Sequence, residues 1–209
     1  MLRVRSANSL LILASALVFF FVQASRPEAV IATFALWPFG THAVPELGGT
    51  VGFAPWQLVT YAFLHGNPLH LFLNLFALWM FGRECEQVLG TARYLQLYFA
   101  AVLTAALTQL VVVSASGEPS PTVGASGGVF GVLLTFAWLY PRRRIVLLFP
   151  PIPMPAWAFV TLYGVVELWL GVSGTAAGIA HFAHLGGMLG AWIVLVRWRQ
   201  GRISGDPGS

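Results

Sequence analysis

Gly124-Ala125-Ser126-Gly127-Gly128-Val129-Phe130-Gly131 sets one hydroxyl side chain among four glycines at the head of an apolar run. Glycine serves two needs in such a place. It lets the backbone come close to a bound carbonyl, and it lets a neighbouring helix come close to this one. The octet alone would also suit plain helix packing, because small residues line the contacts between most membrane helices. Two other segments decide its reading: His70-Leu71-Phe72-Leu73-Asn74 and Ala183-His184-Leu185-Gly186-Gly187. All three lie in stretches apolar enough to cross a bilayer, and together they point to a serine hydrolase built inside a membrane.

Composition agrees. Of 209 residues, 57% are hydrophobic and 9% charged, where a soluble domain carries about 25% charged residues. The polar connections are too short for a separate soluble domain, so residues 1–209 are expected to form one all-α, polytopic membrane domain. The net charge of +4 does not imply nucleic acid. Every basic residue other than histidine is an arginine, and the arginines sit at the ends of apolar runs, where they fix orientation. Cys85 is the single cysteine, which excludes an internal disulfide and a thiolate metal cage. Its neighbours Glu84 and Glu86 oppose thiolate formation, so it reads as incidental.

Six spans are expected, over about 7–24, 68–81, 94–113, 124–140, 156–171 and 179–196. The first follows Arg3 and Arg5 and reads as a retained helix in preference to a signal peptide, although Val22-Gln23-Ala24 offers a passable cleavage site. Residues 25–67 are broken by Trp37-Pro38, Pro45, Gly48-Gly49 and Pro55-Trp56, and read as a long loop lying in the membrane interface. Gly82-Arg83-Glu84-Cys85-Glu86 reads as a charged turn. Residues 145–155, with four prolines, read as a surface-hugging connection. With the N-terminus in the cytoplasm, ten of the eleven arginines fall inside and only Arg26 falls outside. That choice also runs spans two, four and six in one direction and brings His70, Ser126 and His184 to one depth near the outer surface.

A serine hydroxyl is a poor nucleophile at neutral pH and needs a base within hydrogen-bond reach. It also needs donors for the oxyanion that forms. The Gly-x-x-x-Gly faces Gly186/Gly190, Gly124/Gly128 and Gly127/Gly131 are expected to pack spans four and six together, placing His184 beside Ser126 as a Ser–His dyad. Of the seven acids only Glu167 lies within a span, near its outer end, so a dyad is expected in preference to a triad. A Ser–Lys pair is excluded because there is no lysine. His70 and Asn74, four apart, share a helix face. Asn74 can donate its amide to an oxyanion, and His70 can donate or orient; the alternative use of the pair is a polar clamp between helices. His181 and His184 are spaced as metal ligands can be, but no His-Glu-x-x-His motif accompanies them, and no metal is expected. His65 is expected to brace the loop before span two.

These residues resemble the rhomboid intramembrane serine proteases. The likeness rests on His65, His70 and Asn74, on Gly124-Ala125-Ser126-Gly127, and on Ala183-His184-Leu185-Gly186-Gly187 with Gly190. The segment Gly82 to Glu86 also resembles the family's turn after span two. The resemblance implies a six-helix core. It implies Ser126 as nucleophile and His184 as general base and acid. The Ser126 N–H, His70 and Asn74 would form the oxyanion site, and Gly124 would sit where close backbone approach is needed. It implies no cofactor, and as partners the lipid bilayer and transmembrane protein substrates that enter beside span five. Many members carry Trp-Arg in the first loop; here it is Trp56-Gln57, which puts an arginine anchor there in doubt. Gly171 to Gly178 looks mobile enough to gate the site. The competing class is a non-enzymatic rhomboid-like protein, a chaperone or small transporter. The absence of lysine and the wealth of Arg, Ala and Gly suggest a GC-rich bacterial genome, hence a bacterial cytoplasmic membrane with both termini cytoplasmic.

Overall fold

The computed structural model describes residues 6–45, 49–116, 120–146, 151–174 and 180–203. Arg3 and Arg5, and part of the expected gating loop 171–178, lie outside the described residues.

Among the described residues, helices overlap the segments expected to be apolar. Helix α1 (Ala7–Leu17) continues as a π-helical turn to Gln23. Helix α2 is Pro27–Phe34 and α3 is Gln57–Thr60. Helix α4 (Pro68–Ala77) passes through a π-helical turn, Leu78–Gly82, directly into α5 (Arg83–Leu89). The remaining helices are α6 (Thr91–Ser116), α7 (Ser126–Leu139), α8 (Ala156–Ser173) and α9 (His181–Ile203). The chain is mostly helical. Two of these helices, over Thr91–Ala115 and Ala156–Ser173, are long and apolar enough to cross a membrane; Ala7–Gln23 and Ser126–Leu139 are apolar but shorter.

Helix α7 is the centre. Ten of its fourteen residues are buried, from Gly127 to Ala137, and a helix apolar on every side belongs inside a bundle. Helices α6 and α9 pack on it and on each other. Small residues set the spacing: a methyl added at Gly128 would lie 2.9 Å from Tyr98 Cζ, and one at Gly131 would lie 3.1 Å from the Gly187 carbonyl oxygen. The outward faces are apolar instead. Phe72 and Trp79 on the α4 run and Val165, Leu168 and Trp169 on α8 are all more than half, or nearly half, exposed, as side chains are that meet lipid tails.

Two local expectations are revised and a third gains detail. Gly82 to Glu86 is helix, because nothing in Arg83-Glu84-Cys85-Glu86 breaks one, and the chain turns only at Gly90, whose φ is +77°. Glu86 is buried there. Its carboxylate accepts the Ala7 and Asn8 N–H groups at 2.7 and 3.1 Å and the Thr91 hydroxyl at 2.9 Å. The two N–H groups are orphan donors of the first turn of α1, next to the positive end of its dipole. The described residues of 25–67 are a folded unit. They hold α2, a hairpin of β1 (Thr41–Val44) with β2 (Gly49–Gly52), and α3. Gln57, where the family often has arginine, is its buried anchor: Oε1 accepts the Trp37 and Ala54 N–H groups, and Nε2 donates to the Thr33 and Gly52 carbonyls. A neutral amide does this work because all four partners are backbone groups. Finally, the proline-rich connection is paired: β3 (Arg144–Val146) runs antiparallel to β4 (Pro153–Pro155).

Candidate active site

Ser126 opens α7, and the strand before it is held on both sides. Leu36 and Thr122 exchange two backbone hydrogen bonds of 3.0 and 2.9 Å, and the Gly124 N–H donates to the Tyr61 carbonyl at 3.0 Å. Tyr61 in turn donates its hydroxyl to the Val102 carbonyl of α6 at 2.8 Å. Gly124 has a φ of +128°, a conformation open to glycine and strained for other residues. A Cβ there would also stand 2.8 Å from the His70 ring. The Ser126 N–H therefore starts a helix whose first N–H groups have no intrahelical partner.

His184 enters from α9. Its Nε2 is 2.8 Å from Ser126 Oγ, and its ring stacks on Phe130 at 4.3 Å between centroids and 6° between planes. Phe130 stands four residues after Ser126, one turn along the same face of α7, a spacing from which its position under the base could have been read.

The glycine faces bring these two helices together differently from the expected pairing. Gly186 and Gly190 face α6, where added methyls would meet Thr108, Thr104 and the Ala100 carbonyl. Gly187 faces α7 and lies against the Gly127 backbone. Gly127 and Gly131 meet Ala105 and Ala101 of α6 as well as α9. Adjacent helix residues point about 100° apart, so Gly186 and Gly187 serve two different neighbours.

His70 stands in the first turn of α4, whose N-cap Asn67 accepts the His70 N–H at 2.8 Å. His70 Nδ1 faces the Gly66 N–H at 3.3 Å and accepts from it. The proton is thus on Nε2, the atom turned towards Gly124. Asn74 is buried, and one of its amide protons goes to the His70 carbonyl at 2.9 Å; the other remains to donate. His65 is fully buried in the loop ahead of α4. Its backbone N–H and C=O both bond the Gln23 side chain, at 3.0 and 2.6 Å, and its ring stands 5.2 Å from that of His70. Burial, and then the neighbouring His70, push the His65 imidazole down to about 4.

Glu167 of α8 is the residue that sequence reasoning set aside. Its Oε2 is 2.9 Å from His184 Nδ1 and 2.6 Å from His181 Nδ1. A carboxylate only accepts, so both Nδ1 atoms carry the proton. His184 Nε2 is then the acceptor for the Ser126 hydroxyl. Glu167, His181 and His184 are also the one group among the described residues whose donor atoms cluster as metal ligands do, within 4.8 Å of one another. The two short contacts on one shared oxygen have the lengths of proton-bearing hydrogen bonds.

The rhomboid domain model matches residues 52–200, a stretch that holds Ser126, His184, His70 and Asn74. The chain belongs to the rhomboid family. It is 34% identical over 152 residues to Rhomboid protein 1, mitochondrial, of Saccharomyces cerevisiae, covering 68% of this chain and 41% of that one. It is 28% identical over 137 residues to the Rhomboid protease GluP of Bacillus subtilis, covering 66% and 25%. It is 30% identical over 142 residues to the Presenilin-associated rhomboid-like protein A, mitochondrial, of Danio rerio, covering 66% and 36%. The chain thus spans less than half the length of the curated relatives it matches. These relatives correct the expected bacterial cytoplasmic membrane, since the yeast and zebrafish proteins are named mitochondrial. Arginine placement reads orientation, and neither it nor the lysine-free composition distinguishes one kind of membrane from another.

Proposed function

We propose that the protein is a serine endopeptidase of the membrane interior, built on six helical spans, that hydrolyses peptide bonds in or near transmembrane segments of other proteins. The observation that carries this reading is the 2.8 Å contact of Ser126 Oγ with His184 Nε2 at the head of the most buried helix. The relative named a rhomboid protease supports it.

Ser126 Oγ attacks the scissile carbonyl carbon while its proton passes to His184 Nε2. The oxyanion that forms lies within reach of three donors: the Ser126 N–H at the start of α7, His70 Nε2–H and the spare Asn74 amide proton. Such donors are already oriented and need no rearrangement as charge develops. His184 then gives its proton to the amide nitrogen as the carbon–nitrogen bond breaks. Water hydrolyses the acyl-serine by the reverse proton path. A peptide bond inside a helix is protected by its own hydrogen bonds, so substrates are transmembrane segments whose helix unwinds easily at the cut.

The test uses a fluorophosphonate probe on purified protein in detergent, followed by intact mass and peptide mapping. Labelling at Ser126 that is lost in His184→Ala is the expected result. Folded wild-type protein that takes no label would sink the hydrolase and favour a non-enzymatic rhomboid-like role.

A further inference from the structure

Helix α8 is buried at only four of its residues, Ala156, Phe159, Val160 and Glu167. Around Glu167 the side chains of Val165, Val166, Leu168 and Trp169 are 40–64% exposed, whereas Glu167 is 8% exposed. An acid on an apolar helix is thus turned into the bundle, and it ends on the site's imidazole. An interhelical clamp between α8 and α9 would need only His181. The carboxylate oxygen also reaches His184 Nδ1, on the far side of the ring from Ser126.

We propose that Glu167 is a positioning residue that completes a Ser126–His184–Glu167 relay, with His181 as the second donor that holds the carboxylate in place. The proposal rests on the hydrolase reading above. Three consequences follow from the geometry. The Nδ1–H bond to Glu167 fixes the tautomer, so that Nε2 presents its lone pair to the serine hydroxyl. It also fixes the ring plane, which Phe130 supports from one face. And when Nε2 takes the serine proton, the imidazolium stands against a carboxylate in a medium of low dielectric. Glu167 stays ionised throughout; the proton shuttles only between Ser126 Oγ, His184 Nε2 and the leaving nitrogen. The His181 N–H on the same oxygen keeps the carboxylate from swinging away, a constraint that a lone buried acid on a lipid-facing helix would lack.

The experiment compares wild type with Glu167→Gln on three readouts: the rate of fluorophosphonate labelling at Ser126, kcat and KM on a transmembrane-peptide substrate, and the nitrogen-15 histidine spectrum. The amide keeps the shape but lets the imidazole take the wrong tautomer. Labelling rate and kcat should fall by about 10²–10⁴-fold with KM little changed, in line with loss of the acid from a serine triad. The wild-type spectrum should show His184 protonated at Nδ1, with a strongly downfield proton that disappears in Glu167→Gln. A folded Glu167→Gln protein labelled at the wild-type rate would overturn the proposal and leave the hydrolase standing. If that variant does not fold, the wild-type spectrum decides: His184 protonated at Nε2 in place of Nδ1 overturns it. Wild-type protein not labelled at all would remove both readings together.

Discussion

Gly187 and Gly127 touch through their backbones: a methyl group on Gly187 would overlap the Gly127 carbonyl oxygen and stand 2.7 Å from its carbon. This contact fixes how far α9 stands from α7, and thereby the reach from His184 to Ser126. Gly187→Ala should push the helices apart. We expect a stability cost of about 1–3 kcal/mol from overpacking and labelling at Ser126 slowed about 10²-fold, the effect of a 1 Å misplacement. Gly49→Ala is the control, since a methyl there meets nothing within 4 Å. Melting and labelling of the two variants side by side check this; equal behaviour would show that α9 is free to shift.

Asn74 and His70 are separable. Asn74 has one amide proton engaged with its own helix and one to spare. Asn74→Ala should therefore remove a single oxyanion donor and lower kcat by about 10²–10³-fold. His70→Ala removes a second donor and also leaves the Gly66 N–H without its acceptor. It should lower kcat comparably and in addition reduce the melting temperature. Steady-state kinetics with thermal unfolding distinguish the two.

Glu86 acts on stability and not on chemistry. Glu86→Ala would strip three donors of their acceptor, two at the head of α1 and one at Thr91. A buried donor left unsatisfied costs about 1–3 kcal/mol, which applies to the Ala7 and Asn8 N–H groups, whereas Thr91 is exposed. The melting temperature should drop, while kcat measured well below it stays near wild type. A matching fall in kcat would place α1 in the control of the site.

His65 makes folding sensitive to mild acid. Its imidazole titrates near 4 when folded, against about 6.5 in an unfolded chain. Between those values the unfolded state binds the extra proton, so stability rises with pH across that window and is lost as pH falls through it. His65→Gln should flatten the rise. Melting temperatures of both proteins from pH 4 to 7 give the answer; parallel curves would assign the acid sensitivity to another group.

Much of this protein was readable from residue types and spacing. The apolar runs announced where the helices lie, because burial against lipid or core needs apolar side chains over whole turns. Ser126, His70, Asn74 and His184 stood out because polar groups are costly in such runs, and the shared depth expected of His70, Ser126 and His184 followed from counting the runs. Elsewhere the sequence misled for local reasons. Prolines and glycines at 25–67 suggested a loop, yet Gln57 satisfies four backbone groups at once and holds a folded unit together. The charges at Gly82 to Glu86 suggested a turn, yet the acid at 86 serves as a cap for a helix nearly eighty positions earlier.

Residue types and spacing alone read as a helical membrane protein with a serine and two histidines near the heads of apolar helices and an asparagine one turn beyond His70, because period, polarity and glycine content are local properties. Direction came from the fold: which glycine faces which helix, and that Glu167 turns inward to His184 while its neighbours Val165, Val166, Leu168 and Trp169 face out. A side chain's direction depends on how each helix is rotated about its axis. That rotation is set by packing against neighbours distant in the chain, and it leaves no mark on the spacing of any one segment.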